Sequence, residues 1–127
     1  RMYTKLNLSR KKPIVVFASQ ALSESVNYPS FQIFYRTANK FPNIQFVVKL
    51  HPDERESLHK EFIKGLALEN VTVVKQINTK ELLLAADLVV NIYSTVGMEA
   101  LSFGKPLVSI NVNLPKSYFL FVSCFYE

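Results

Sequence analysis

A chain of 127 residues, 49% of them hydrophobic and 20% charged, can hold one domain with a core of its own, and this composition excludes a disordered or fibrous segment. The formal net charge of +5, with a pI near 9.4, favours anionic partners such as phosphates, nucleic acid or an anionic membrane surface, although a slightly lysine-rich soluble domain is the simpler reading of charge alone. One cysteine, Cys124, excludes an intramolecular disulfide, and no apolar run reaches the roughly 20 residues that a bilayer-spanning helix needs.

The opening RMYTKLNLSRKK is basic and lacks the apolar stretch of a secretory signal. After Lys11-Lys12-Pro13, the run IVVFAS from Ile14 to Ser19 is largely β-branched and aromatic, which predicts a strand buried on both faces. The polar stretch SQALSESVNYPS reads as a loop. Ser30 then caps a helix over Phe31 to Phe41, in which Phe31, Phe34, Tyr35, Ala38 and Phe41 keep helical spacing and Pro42-Asn43 ends the run. A second buried strand, IQFVVKL, covers Ile44 to Leu50. Asp53 is placed to cap the helix ERESLHKEFIKGLAL, with Leu58, Phe62 and Leu66 as its apolar stripe and His59 exposed. VTVVKQ, Val71 to Gln76, is a third strand, and Asn78 or Thr79 caps KELLLAAD. LVVNIY, Leu88 to Tyr93, is a fourth. Ser94-Thr95 opens the helix VGMEALSF, which Gly104 closes in the left-handed conformation. KPLVSINV, Lys105 to Val112, is the fifth strand.

Five alternations of strand and helix predict an α/β fold: a Rossmann-like, three-layer domain whose parallel sheet of about five strands is flanked by helices. There is no internal repeat, no low-complexity segment and no interdomain linker, so residues 1–127 read as a single domain. The tail from 113 to 127 is atypically apolar. Its YFLFVSCFYE is too short to span a bilayer and is expected to be buried, with an interfacial anchor as the alternative. Cys124 lies in that tail with no base nearby, which argues against a catalytic thiol.

Ligands of open parallel sheets bind beyond the carboxyl ends of the strands. The rim there is polar: Ser19 and Gln20, His51 and Pro52, Ile77 and Asn78, Ser94 and Thr95, Asn111 and Asn113. Pro52 holds His51 extended, and its imidazole can donate to a phosphate oxygen or act as an acid, with Lys49 and Arg55 adding positive charge. Taken alone, the pair reads more readily as a strand-end histidine satisfied by a backbone carbonyl. The turn Ser94-Thr95-Val96-Gly97 combines free N–H groups, two hydroxyls and a glycine that permits close approach, which suits phosphate and equally suits ordinary capping. Glu99, one turn further on, can accept hydrogen bonds from a ribose diol or merely complement the helix dipole. Ser19-Gln20 lacks the glycines of a dinucleotide-binding turn, and no P-loop occurs. His51 and His59 have no further ligand at metal spacing, so no metal site is expected. Ser94 lacks a nucleophile elbow, and no RNA-recognition motif accompanies the basic residues, so nucleic acid is not an expected partner.

Together, the strand-KLHP unit and LLLAADLVVNIYSTVGMEALSFGKPLVSINV resemble the carboxy-terminal, donor-nucleotide-binding domain of GT-B fold glycosyltransferases of the surface and capsular polysaccharide type. The resemblance covers roughly Ile14 to Val112. Its specific part runs from Ala86 to Val108, where AADLVV is followed by a Ser-Thr turn and then EAL.FGKP. Relatives in that group transfer sialic acid, Kdo or glycerol phosphate, and nucleotide-sugar 2-epimerases share the domain shape.

The resemblance implies a nucleotide-binding set. His51 and Pro52 match the His-Pro motif at the nucleotide phosphates, Ser94 and Thr95 the hydroxyl turn with Gly97 beside it, Glu99 the ribose-binding acid, and Ser19 and Gln20 the loop facing the interdomain cleft. His51 is the catalytic candidate, stabilising charge on the leaving nucleotide. The earlier glutamate of many retaining members is Asn91 here. The resemblance further implies a UDP-, CDP- or CMP-linked sugar as donor substrate and no required cofactor. It implies a separate N-terminal domain for the acceptor, and a cytoplasmic location, with attachment to the inner membrane face and self-association open. An epimerase-like domain and a non-catalytic nucleotide- or sugar-binding half-domain are the alternatives.

Overall fold

The computed structural model describes residues 2–21, 24–92 and 96–110, with backbone only for 24–26 and 96–98. The elements in chain order are α1 (Met2–Lys5), β1 (Ile14–Ala18), α2 (Glu24–Lys40), β2 (Gln45–Lys49), α3 (Ser57–Gly65), β3 (Val71–Val74), α4 (Thr79–Ala85), β4 (Leu88–Asn91), α5 (Val96–Ser102) and β5 (Leu107–Ser109). The strands form one sheet in the order β3-β2-β1-β4-β5, and every pairing is parallel. This is the expected Rossmann-like α/β architecture.

The continuous apolar runs exist because both faces of the sheet are covered. Side chains alternate along each strand. Val15, Phe17, Phe46, Val48 and Val90 therefore pack with Phe31, Phe34, Tyr35 and Ala38 of α2 on one face. Ile14, Val16, Val47 and Val89 pack with Met2, Leu82, Leu83 and Ala100 of α1, α4 and α5 on the other. The Phe17 and Phe34 rings lie 4.4 Å apart, and Tyr35 stacks on Phe62 of α3 at 5.3 Å, which fixes α2 against both sheet and helix. The chain builds outward from β1 to β3, then returns to place β4 on the other side of β1. The topological switch point thus falls between β1 and β4.

Two helix starts differ from expectation. α2 begins at Glu24, so most of the predicted polar loop is helix, and Pro29 and Ser30 lie inside it. Pro29 is the sixth residue of α2, past the first turn, so it has no N–H to give to the carbonyl of residue 25 and its ring crowds that carbonyl. The Asn27 side-chain amide donates to the Gln20 carbonyl at 2.9 Å and ties the early turns to the end of β1. α3 begins at Ser57 with Glu56 at the cap position, and Glu56 makes no side-chain capping bond, so Asp53 is not the cap. Residues 51–54 are used instead in a turn closed by the Glu54 N–H donating to the His51 carbonyl at 2.9 Å.

Other local signals hold. The Asn78 side chain caps α4 by accepting the Glu81 N–H at 3.0 Å. Gly104 takes φ +72° after α5, where its N–H donates to the Leu101 carbonyl and the Lys105 N–H to the Ala100 carbonyl, both at 2.9 Å, the pairing of a Schellman turn. Strand β3 ends two residues earlier than predicted, β4 ends at Asn91 with Tyr93 outside the described residues, and the short α1 is not anticipated by the sequence. Among the described residues no helix is long and apolar enough to cross a membrane.

Candidate site at the carboxyl ends of the strands

β1 and β2 pair in register from Ile14 against Gln45 to Ala18 against Lys49, so their carboxyl ends emerge side by side. Ser19 continues the ladder by donating its N–H to the Lys49 carbonyl at 3.0 Å. This register delivers Ser19 and the His51-Pro52 turn to the same edge of the sheet.

Glu54 organises that edge. Its side chain turns inward and is only 6% exposed. Oε1 accepts the His51 backbone N–H at 3.1 Å. Oε2 accepts the Ser19 hydroxyl at 2.7 Å and lies 2.7 Å from His59 Nε2. The expectation of an exposed His59 is contradicted: it is fully buried, with Nδ1 2.6 Å from the Tyr35 hydroxyl and its ring 4.3 Å from that of Phe31.

The donors and acceptors fix the direction of this chain. Burial, and then the Glu54 charge, hold the Tyr35 hydroxyl well above the usual tyrosine range, so it stays protonated and donates to His59 Nδ1. His59 Nε2 then carries the ring proton and donates to the Glu54 carboxylate. Four elements or turns meet here: the end of β1, α2, the His-Pro turn and α3. A buried carboxylate is tolerable because Ser19, His51 and His59 all donate to it.

Two lysines brace the same turn. Lys49 Nζ donates to the Leu50 carbonyl at 2.8 Å and Lys75 Nζ to the Glu54 carbonyl at 2.9 Å. Burial lowers the Lys49 ammonium from the usual lysine range, with the Glu54 charge opposing the shift.

His51 itself faces outward, its side chain 44% exposed. Its Nδ1 accepts the Asp53 N–H at 3.1 Å and lies 3.7 Å from the Asp53 carboxylate. An Nδ1 that accepts places the proton of the neutral ring on Nε2, which leaves an N–H donor available without a positive charge.

Of the other predicted residues, Pro52 is exposed beside His51. The Ser19 hydroxyl is already engaged by Glu54. Gln20 follows it, with Oε1 buried and without a hydrogen-bond partner among the described residues. At the end of β4, Asn91 is fully buried. Its Oδ1 accepts the Ser109 hydroxyl at 2.5 Å, while Nδ2 has no partner among the described residues. The switch point is thus flanked by an unused acceptor on one strand end and an unused donor on the next. Ser94, Thr95, Asn111, Asn113 and the 113–127 tail lie outside the described residues. Gly97 falls within α5, and Glu99 is exposed in its first turn. Among the described residues, no three His, Cys, Asp or Glu side chains gather as a metal site would require.

Sequence reasoning missed Glu54, His59 and Tyr35 as one unit. A signal for His59 was present: it precedes Phe62, Ile63 and Leu66 by three, four and seven residues, the spacing of the buried face. Glu54 carries no such signal, because it sits in a turn.

Comparison with known proteins agrees with this architecture. The model of a family described as capsule polysaccharide biosynthesis protein matches residues 3–112. The chain belongs to that family. No curated protein sequence matches it. Among solved structures, UDP-GlcNAc 2-epimerase from Neisseria meningitidis, bound to UDP-GlcNAc, aligns with a TM-score of 0.66 and 17% identity over 91% of this chain and 32% of its own. The beta Kdo 2,4 transferase KpsC of Thermosulfurimonas dismutans gives 0.59 and 21% over 83% of this chain and 36% of its own. E. coli heptosyltransferase WaaC, with ADP-2-deoxy-2-fluoro heptose, gives 0.66 and 15% over 86% and 36%. The capsule-synthesis chain therefore spans about a third of each of these proteins. Family and fold together bear out the resemblance to a GT-B domain of the polysaccharide-synthesis type.

Proposed function

We propose that this chain is the donor-binding domain of a glycosyltransferase in capsule polysaccharide synthesis, and that it holds the nucleotide of a nucleotide-activated sugar at the carboxyl ends of β1, β2 and β4. The observation that carries the reading is the His51-Pro52 turn: an outward imidazole with an available Nε2–H, on a main chain anchored from within by Glu54. In this reading His51 donates to a phosphate oxygen and stabilises charge as the nucleotide leaves. Pro52 sets the turn. Ser94, Thr95 and Gly97 supply hydroxyls and close approach to the phosphates, and Glu99 accepts from the ribose. Ser19 and Gln20 border the cleft, Gln20 with a buried acceptor still unused.

In each of the solved structures named above the aligned part is only about a third of the chain, which supports a separate N-terminal domain for the acceptor. Two of them hold a nucleotide sugar or an analogue of one, which favours such a donor here. The same reading puts the domain on the cytoplasmic side of the membrane.

Titration of the ¹⁵N-labelled chain with UDP, CDP and CMP tests the reading. Shifts at His51 and Glu99 with one of the three are expected, together with no transfer activity from this chain alone. No shift with any of them overturns the assignment. Product analysis of the full-length protein separates transfer from the epimerisation carried out by the neisserial relative.

A further inference from the structure

The described residues contain a buried carboxylate that the functional reading does not use as a ligand. Glu54 contacts the His-Pro turn twice: its N–H donates to the His51 carbonyl, and its Oε1 accepts the His51 N–H. Its other oxygen is held by Ser19, the residue after β1, and by His59 from α3, and His59 is in turn held by Tyr35 from α2. Oε2 is thus fixed by core elements, and the rigid carboxylate passes that constraint to the His51 main chain. Lys75 from the end of β3 holds the Glu54 carbonyl as well.

We propose that Glu54 is the positioning residue of the site: it aims His51 at the ligand and never touches the ligand itself. The inference rests on the nucleotide-binding reading above. The outward half of the turn has only weak restraints of its own, since His51, Pro52 and Asp53 are all exposed and Asp53 contributes one 3.1 Å hydrogen bond to the ring. The restraint therefore comes from beneath. A ligand-binding imidazole on an exposed turn needs such support, because ordering it at the moment of binding would subtract from affinity.

Glu54→Gln separates positioning from folding. The amide has the shape of the carboxylate but one acceptor oxygen instead of two, so it cannot accept from His51, Ser19 and His59 together. The expected result is a folded protein whose His51 amide and ring-nitrogen signals move and whose affinity for UDP falls about tenfold or more. Tyr35→Phe is the control. It removes the outermost link and lowers stability, but leaves the Glu54–His51 bond, so UDP affinity should stay within about twofold.

Equal UDP affinity in wild type and Glu54→Gln overturns the inference, and so does an equal loss in Tyr35→Phe, which would mark a general stability effect. Absence of binding of UDP, CDP and CMP alike in wild type overturns the functional reading instead, and where CDP or CMP binds in place of UDP the same comparison of variants is made with that nucleotide. The ring-nitrogen signals then decide the positioning, and unchanged signals in Glu54→Gln overturn it. If Glu54→Gln does not fold, hydrogen exchange of the wild-type His51 amide replaces it: slow exchange on this exposed turn supports the anchor, and exchange at the rate of an unstructured peptide contradicts it.

Discussion

Glu54 and His59 meet at 2.7 Å inside the protein, five residues apart across the start of α3, both nearly or fully excluded from solvent. Their contact joins the turn that presents His51 to the helix that packs on the core. Site and core are therefore not separable at this point of the fold.

Removing the carboxylate should be costly. Glu54→Ala leaves the Ser19 hydroxyl, the His59 Nε2–H and the His51 N–H without their acceptor. Each buried orphan costs about 1–3 kcal/mol, so a loss of about 3 kcal/mol or more is expected. Urea unfolding followed by circular dichroism measures it. A loss below about 1 kcal/mol would mean that the network contributes little.

Alkaline pH should weaken the same network through Tyr35. Its hydroxyl is held above the usual range by burial first and by the Glu54 charge second. A raised folded-state value means that the contribution is complete below the pH where an unfolded tyrosine ionises, near 10, and declines as pH rises above it, because only the unfolded chain then releases the proton. Wild type should lose more stability between pH 9 and pH 11 than Tyr35→Phe does. Parallel losses would contradict this.

The caps of α4 and α5 give two smaller effects. Asn78→Ala removes the acceptor for the Glu81 N–H and should cost about 1 kcal/mol. Gly104→Ala forces a side chain onto φ +72° and should also cost about 1 kcal/mol, although nothing lies within 4 Å of the new methyl group, so the cost is conformational and not steric crowding by neighbours. Thermal unfolding of both variants checks these values.

Most of the architecture was legible because the signals were local. Ile14–Ala18 and Gln45–Lys49 are apolar along most of their length, which only a sheet covered on both faces accommodates. The place of His51 followed from the strand before it and the proline after it. What stayed hidden depended on contacts distant in sequence. Glu54 reads as an ordinary charged residue near a helix start, and only Ser19, 35 residues earlier, and His59 explain its burial. The stretch from Ser19 to Ser30 reads as a loop because its residues are polar, yet α2 begins at Glu24 and takes in Pro29 and Ser30. His59 was misjudged because a histidine between Leu58 and Lys60 looks like part of a polar face, although its spacing to Phe62, Ile63 and Leu66 is that of the buried one.

The central claim is that the His51 turn binds the phosphates of a nucleotide. Its most direct test is titration of wild type and His51→Ala with UDP and with uridine, which lacks the phosphates, followed by NMR and calorimetry. UDP should shift the His51 signals and uridine should not, and His51→Ala should bind UDP about tenfold more weakly while keeping its fold. Equal binding of UDP by both proteins, or equal shifts with uridine, would contradict the account.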